Sequence, residues 1–432
     1  MFPQYFYIAS VNYFSNEVEA DDARGCERFF YLFRYLFGNF DIYCHPQSIY
    51  LRGPLEMKIV LFANTDWYLY NFRLSLATNL KSQGHDVVLL SPPGEYSKKL
   101  IQMGFNWQAA PLNRRSLNPL CELRFLLWLR KWLLQQKPDL VHSFTIKCAI
   151  YGSLVAKLTF VPARVNAVAG LGYVFTSKDL RARFLRPIVR TLMRLALTGK
   201  NARLILQNPD DVRLFQKADI VSYDSIRLIM GSGVNCNRFI GNHEERKSRS
   251  AVKVLLTARL LWDKGVAEFV EAAQQLRQEC GSNIHFLLAG SPDPGNPAAV
   301  PLQIVESWVN DGIVEWLGHV DDMPKLLSSV DIFVLPSYRE GLPRTLIEAG
   351  ACSLPLITTD VPGCREVVSQ HGQNGLLVPV QDSRQLAAAI RKLYEDPDLR
   401  KRLGAAAREH VYREFDEHIV LAKTIEVYRE LA

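Results

Sequence analysis

Short apolar runs alternate with stretches of helical periodicity from Met57 to the end of the chain. The first run, MKIVLFAN, opens the pattern at 57–64. Further runs bounded by turn residues lie at 85–91, 139–144, 163–169, 203–207 and 226–230. The stretches between them, such as 71–83 and 121–136, carry apolar residues at helical spacing. A polar segment, GNHEERKSRSA at 241–251, reads as a linker. A second alternation follows, with runs at 252–258, 284–289, 331–335, 355–359 and 375–378. Strands that alternate with helices predict mostly parallel sheets covered on both faces. The expected fold is therefore α/β, with two doubly wound Rossmann-like domains, 57–240 and 241–410, facing each other across a cleft. The tail, 411–432, is read as helical, with no strand left to pair with. Residues 1–56 fit neither domain. Their aromatic stretch ERFFYLFRYLFGNF (27–40) reads either as a short amphipathic helix or as part of an upstream extension, with Met57 as the natural start.

Composition narrows the class. Of 432 residues, 48% are hydrophobic and 22% charged, the balance of a globular chain long enough for a full core in each of two or three domains. Eight cysteines are scattered without a C-x-x-C pair, which points to reduced thiols in a reducing compartment rather than a disulfide or zinc framework. No uncharged apolar run reaches membrane-spanning length, and the N-terminus lacks the basic-then-apolar order of a signal peptide. Charge is uneven. Residues 57–240 carry 26 Lys and Arg against 10 Asp and Glu, a net +16, whereas 1–56 carry −3 and 241–432 carry −6. A basic first half is expected to meet an anionic surface or ligand: phospholipid, a lipid-linked phosphate or nucleic acid.

Ligands of open parallel sheets bind at the carboxyl ends of the strands. Three connections of the second alternation lie there. TARLLWDKG (257–265) offers Arg259 and Lys264, two cations suited to a diphosphate if they are more than solvated surface charge. SYREGLPRTLIEAG (337–350) starts a helix at Pro343, so that backbone N–H groups from Gly341 onward and the positive helix end suit a phosphate. Glu340 sits on this loop and Glu348 on the helix. Glu348 is placed to accept both hydroxyls of a ribose, or else to pair with an arginine while Leu346, Ile347 and Ala349 pack the core. TTDVPGCREVV (358–368) puts Gly363 at a tight turn, with Arg365 and Glu366 as a helix-start ion pair. The two glutamates raise the possibility of an acid/base pair that cuts a glycosidic bond. One on a loop and one a turn or more into a helix is a poor geometry for that chemistry, and holding a ligand is the better reading.

The order Arg259, Lys264, Glu340, Glu348, with GSGVNCNRF (231–239), LPSYREGLPRTLIEAGACSLPLITTDVPG and NGLLVP (374–379), resembles the second domain of family-four retaining glycosyltransferases of the GT-B fold. The resemblance implies that Arg259 and Lys264 bind the diphosphate of a UDP- or GDP-sugar and stabilise the leaving group. It implies that Glu340 contacts the donor sugar and Glu348 the ribose. Gly341, Leu342, Pro343, Thr345 and Leu346 would surround the phosphates through their backbone, with Gly363 close by. No metal or other cofactor is expected, because cations and the helix end take its place.

The first half has no G-x-G-x-x-G after its first strand, so a nicotinamide cofactor is not expected. NTDWYLYNFR offers Asn64, Asn71 and Arg73 for an acceptor, with Phe72 packing its helix. DLVHSFTIK offers Lys147 for an acceptor phosphate, and His142 either as a site residue or as a satisfied core histidine. NAVAGLGYVFTS (166–177) puts Gly170 and Gly172 on a loop. Together these stretches resemble a branch acting on polyprenyl-diphosphate-linked sugars in bacterial surface polysaccharide assembly, such as lipopolysaccharide and capsule. Independently, FLRPIVRTLMRLAL (184–197) sets Arg186, Arg190 and Arg194 on one helical face beside an apolar stripe of Leu185, Ile188, Val189, Leu192, Leu195 and Ala196. Such a helix suits an anionic lipid interface or a sheet-packing face. LRFLLWLRKWLL (123–134) is similar, with core packing favoured there. The expected setting is the cytoplasm, at the inner face of the plasma membrane. Two other readings stand beside this one. A sugar-nucleotide epimerase or phosphorylase is possible on the same fold. The third is a non-catalytic basic protein binding membrane or nucleic acid, although no recognisable nucleic-acid motif is present.

Overall fold

A computed structural model describes residues 41–45, 48–52, 56–114, 116, 118–168, 180–241 and 251–431. Residues 27–40, Gly170, Gly172 and most of the 241–251 segment lie outside the described residues. Two compact units are present, 1–56 and 57–432. Within the first, strands β1 (Asp41–His45) and β2 (Ser48–Arg52) form an antiparallel pair.

The second unit holds two parallel sheets. The first contains β3 (Lys58–Phe62), β4 (Asp86–Ser91), β5 (Asn106–Ala109), β6 (Leu140–Phe144), β7 (Ala163–Val168), β8 (Ala202–Leu206) and β9 (Ile226–Leu228), in the order β5-β4-β3-β6-β7-β8-β9. The second contains β10 (Val252–Thr257), β11 (Ile284–Ala289), β12 (Glu315–Gly318), β13 (Ile332–Leu335), β14 (Leu356–Thr359) and β15 (Leu376–Val378), in the order β12-β11-β10-β13-β14-β15. In each sheet the chain starts in the middle and reverses its winding. The ligand crevice of a doubly wound sheet lies at that reversal, between β3 and β6 in one and between β10 and β13 in the other.

Strands β6 and β7 are buried along their whole length, including the polar side chains of His142, Ser143, Arg164 and Asn166. Within these two sheets, β5 (NWQA) and β12 (EWLG) escaped the sequence reading. Both lie at sheet edges, β5 mostly exposed and β12 mostly half-buried, so neither needs an apolar run. Ile59, Leu61 and Leu89 point into one core of the first sheet, and Val60, Phe62 and Leu90 into the other, as a period of two requires.

The C-terminal tail does not stand apart. Helix Pro397–Glu414 packs Ala407 and Val411 against Ala349 and Leu356 of the second sheet's core. The chain then crosses over. Val234 N–H donates to the Phe415 carbonyl at 3.0 Å, and the helix Glu417–Arg429 lays Val420, Leu421, Val427 and Tyr428 into the first sheet's core. Each such buried side chain stabilises the docked helix by roughly 1.5–3 kcal/mol relative to exposure. Arg203 and Arg227 of the first sheet both grip Glu430, at 2.9 and 2.8 Å. The tail therefore joins the two halves covalently and through packing.

Candidate active site

The loop after β10 and the loop after β13 are neighbours because their strands are paired. The first ends in a tight turn, Trp262–Lys264, capped by Gly265 at φ +72°. A side chain there would lie 2.2 Å from the Pro336 carbonyl oxygen, so only glycine allows the approach. Tyr338 N–H donates to the Asp263 carbonyl at 2.9 Å, which zips the loops together. The zipped loops carry Lys264 to Glu340: Nζ and Oε1 are 2.6 Å apart, and Ser337 Oγ donates to the same oxygen at 2.8 Å. Both charged side chains are largely withdrawn from solvent.

The third connection closes over the same place. Gly363 adopts φ +80°, and a side chain at this position would lie 2.6 Å from the Gly341 carbonyl oxygen. Cys364 follows, and burial together with the nearby Glu340 charge pushes its thiol up to about 12, so it supplies no nucleophile at neutral pH. Arg259 is also at the β10 end, exposed, with Nη1 2.9 Å from Asp293 Oδ2.

Helix Arg344–Ala351 begins directly after Pro343, as its fixed φ favours, and its first turn lies at the carboxyl end of β13. Thr345 Oγ1 reaches the Thr257 carbonyl at 3.4 Å. Leu346 is fully buried in the core. The expected contribution of Leu346 to the site is thereby confined to its backbone, because its side chain must pack behind the helix. Leu342 is half-buried against Gly231. Glu348 is 6% exposed, and Arg344 Nε donates to its Oε1 at 2.8 Å. Burial raises the Glu348 carboxyl above the ordinary range, and the Arg344 charge opposes that rise. Glu340 and Glu348 thus each have a separate cation, Lys264 and Arg344.

The first sheet meets these loops at two points. Asn208 caps helix Pro209–Lys217 and donates through Nδ2 to the Gly341 carbonyl at 2.8 Å. Asp211, buried behind it, pairs with Arg339 at 2.8 Å. Its carboxyl is raised by burial, against the pull of Arg339. Asp210 pairs with Arg365 at 3.2 Å, and Arg365 also binds Asp360 at 2.8 Å. The expected Arg365–Glu366 pair is therefore replaced by partners across the cleft and on the preceding loop. The second point is the segment after β3. It makes a π-helical turn, Leu69–Arg73, whose Asn71 carbonyl accepts a hydrogen bond from Arg344 Nη1. Phe72, expected only to pack its helix, lies 5.1 Å below the same guanidinium.

Other first-half candidates fall in different environments. Asn64 is half-buried at the end of β3. Arg73 is buried, donates to Tyr68 Oη at 3.0 Å and stacks over Phe144 at 4.3 Å. His142 is buried with Nδ1 2.6 Å from the Tyr428 hydroxyl, and burial, helped by Arg73, holds it neutral. Lys147 donates to the Asn113 and Ser116 carbonyls and to Glu122 Oε1, at 2.7, 2.9 and 2.8 Å. Two of its protons thus pin the 113–116 loop, and the third ties it to helix Pro119–Gln136. Asn208, Asp211, Arg339 and Arg344 were missed by the sequence reading. Asn-Pro-Asp-Asp does announce a helix start, but nothing in it names the partner loop.

Residues 251–396 match the family described as glycosyl transferases group 1, and residues 58–208 match that described as glycosyl transferase 4-like. The N,N'-diacetylbacillosaminyl-diphospho-undecaprenol alpha-1,3-N-acetylgalactosaminyltransferase of Campylobacter jejuni is 29% identical over 382 residues, 86% of this chain and 98% of that protein. The UDP-Gal:alpha-D-GlcNAc-diphosphoundecaprenol alpha-1,3-galactosyltransferase of Escherichia coli is 25% identical over 65% of this chain and 73% of its own length. Among solved structures, HepE of Anabaena in complex with UDP and glucose superposes with a TM-score of 0.70 at 18% identity, over 87% of this chain and all of that one. The sheets, the facing loops and these matches define a glycosyltransferase of the GT-B fold. The chain belongs to the group 1, family-four-like glycosyltransferases.

Proposed function

We propose that this glycosyltransferase moves a sugar from a UDP-sugar to a saccharide carried on polyprenyl diphosphate, with retention at the anomeric carbon and without a metal. The observation that carries the reading is the Lys264–Glu340 contact, held by two zipped loops beside the start of helix Arg344–Ala351. Lys264, Arg259 and the helix end stabilise negative charge on the departing diphosphate. Glu340, tethered by Lys264, faces the donor sugar, and Glu348 takes the ribose hydroxyls. The bond from the anomeric carbon to the phosphate oxygen breaks. The bond to the acceptor oxygen forms on the same face, and the acceptor's proton passes to the leaving phosphate. UDP rather than GDP is favoured by HepE, whose structure contains UDP. The lipid-linked acceptor is favoured by the Campylobacter and Escherichia relatives.

The setting we propose is an anionic membrane surface on the cytoplasmic side. Among the described residues no helix is long and apolar enough to cross a membrane. Helix Pro119–Gln136 buries Phe125, Leu129, Trp132 and Leu133 as the core reading requires. Its opposite face leaves Leu120, Leu123, Leu127 and Leu134 exposed, beside Arg124, Arg130 and Lys131. On helix Leu180–Leu197 the stripe divides: Ala196 is buried, while Ile188, Leu192 and Leu195 are exposed. Arg194 there is paired with Asp219 at 2.8 Å, and Arg190 is exposed. Leucines flanked by cations suit the headgroup region of an anionic bilayer.

The test is transfer itself. Purified protein, UDP-sugars and a polyprenyl-diphosphate-linked saccharide are expected to release UDP only when the acceptor is present. Conversion of the UDP-sugar without acceptor would instead establish an epimerase.

A further inference from the structure

Arg344 stands where a cation is electrostatically out of place. It is the first residue of helix Arg344–Ala351, at the positive end of the helix field, which disfavours a guanidinium. Its partners account for the position. Nε donates to Glu348 Oε1 at 2.8 Å, Nη1 donates to the backbone carbonyl of Asn71, and the guanidinium plane lies over the Phe72 ring at 5.1 Å. One rigid, planar group therefore joins a buried carboxylate of the second sheet's site to the π-helical turn Leu69–Arg73 of the first. Such turns are uncommon and concentrate at functional positions. Phe72 is in turn stacked on Tyr68 at 5.1 Å and edge-on to Trp67 at 5.4 Å, so whatever moves Phe72 moves the whole aromatic segment.

Glu348 has Arg344 as its hydrogen-bonded cation, with a weaker field from Arg238. A ribose bringing two hydroxyl donors to this carboxylate shares its oxygens with Arg344 and weakens the pull on Nε. The guanidinium then redistributes toward Asn71 and Phe72. A ligand that changes the free energy of one contact in a three-way junction biases the other two, which is the thermodynamic requirement for coupling between sites. We infer that Arg344 is a coupling residue that carries nucleotide occupancy at Glu348 to the 67–73 segment, so that donor binding organises the acceptor side of the cleft. The inference rests on the nucleotide-binding reading above and adds to it a route of communication.

The experiment uses the full chain with UDP as the only ligand. Hydrogen exchange of peptides covering 65–75 is measured with and without saturating UDP, and UDP affinity is measured by calorimetry. In the wild-type protein UDP is expected to change exchange across 65–75. In Arg344→Ala, with UDP again at saturation, that change is expected to disappear; this variant also leaves buried Glu348 without its cation, so its UDP affinity is expected to fall. Arg344→Lys keeps a cation for Glu348 but lacks the planar fork that spans to Asn71 and Phe72, and at saturating UDP it is expected to lose the exchange change as Arg344→Ala does. In steady state with donor saturating, both variants are expected to raise the acceptor KM by about tenfold, the size of a typical coupling. Persistence of the UDP-induced change in either variant would overturn the inference. So would UDP binding to wild type with no change in 65–75, which leaves the nucleotide reading intact. Failure of UDP to bind wild type at all removes both.

Discussion

Lys264 and Glu340 lie 76 residues apart in sequence and 2.6 Å apart in space. The ammonium belongs to the connection after β10 and the carboxylate to the connection after β13. The pairing of those two strands, with a glycine at 265 that admits the Pro336 carbonyl, brings the two groups together. A cation held this way is preorganised. In the proposed reaction it pays no reorganisation cost when negative charge develops on the leaving diphosphate, which is where electrostatic catalysis gains most.

Replacing Lys264 with Ala removes that charge and leaves Glu340 withdrawn from solvent beside Ser337 alone. Turnover is expected to fall by about a hundredfold to a thousandfold. UDP affinity is expected to fall by about tenfold, the loss of one charged hydrogen bond. Initial rates and calorimetry measure the two effects, and an unchanged circular dichroism spectrum separates them from unfolding.

The Asn208 amide, which donates to the Gly341 carbonyl at 2.8 Å and to Asp211 Oδ2 at 3.0 Å, can be separated from the helix cap that its oxygen provides. Serine retains the capping oxygen but has no amide to send across the cleft. Asn208→Ser is expected to keep the melting temperature within about 2 °C while lowering kcat/KM by about five- to tenfold, the cost of one unmade hydrogen bond at the site. Equal losses in stability and activity would assign Asn208 to the cap only.

Glu348 makes stability depend on pH in a direction that can be checked. Its folded-state carboxyl is raised by burial, so the folded protein holds the proton more tightly than the unfolded chain. Stability attributable to this group is therefore greatest at low pH and declines as pH rises above about 4.5. Glu348→Gln removes the titration. Melting curves taken from pH 4.5 upward are expected to show a shallower decline in the variant than in the wild-type protein.

Glu430 has the opposite sign. Hydrogen bonds from Arg227 first, and from Arg203, hold its carboxyl below the ordinary range. Its contribution is present above about pH 4.5 and is lost as pH falls through the lowered value. Glu430→Gln is expected to lower the melting temperature by about 1–3 °C near neutrality, with the difference closing in acid. A constant difference across pH would show that packing rather than the ion pairs anchors the tail.

The exposed leucines of helix Pro119–Gln136 give a test of the membrane setting that leaves the core untouched. The double change Leu123→Glu and Leu127→Glu places like-charged carboxylates where the bilayer reading needs apolar contact. Binding to vesicles rich in anionic lipid is expected to fall by more than about tenfold. Co-sedimentation measures this, and neutral vesicles report how much of the binding is electrostatic.

Much of this molecule is written in local patterns. Predominantly apolar runs such as KIVLF and IFVL read as interior strands, because a strand covered on both faces buries side chains in succession. The alternation of those runs with helices gave the two sheets, and the spacing of Lys264 and Glu340 marked two strand-to-helix connections that the structure brings together. The tertiary structure alone decided which groups share a partner. Lys147, Arg344 and Arg365 are all arginines or lysines in the first turn of a helix that follows a strand, indistinguishable by pattern. One pins a loop, one bridges the cleft to Asn71, and one reaches Asp210. The same holds for Tyr428, which reads as the last aromatic of an amphipathic tail and is found against His142 in the opposite half. Hydrophobic periodicity records only whether a side chain is inside or outside. Partners separated by a hundred residues or more are fixed by strand order and by the crossing of the tail, and neither leaves a trace in local sequence.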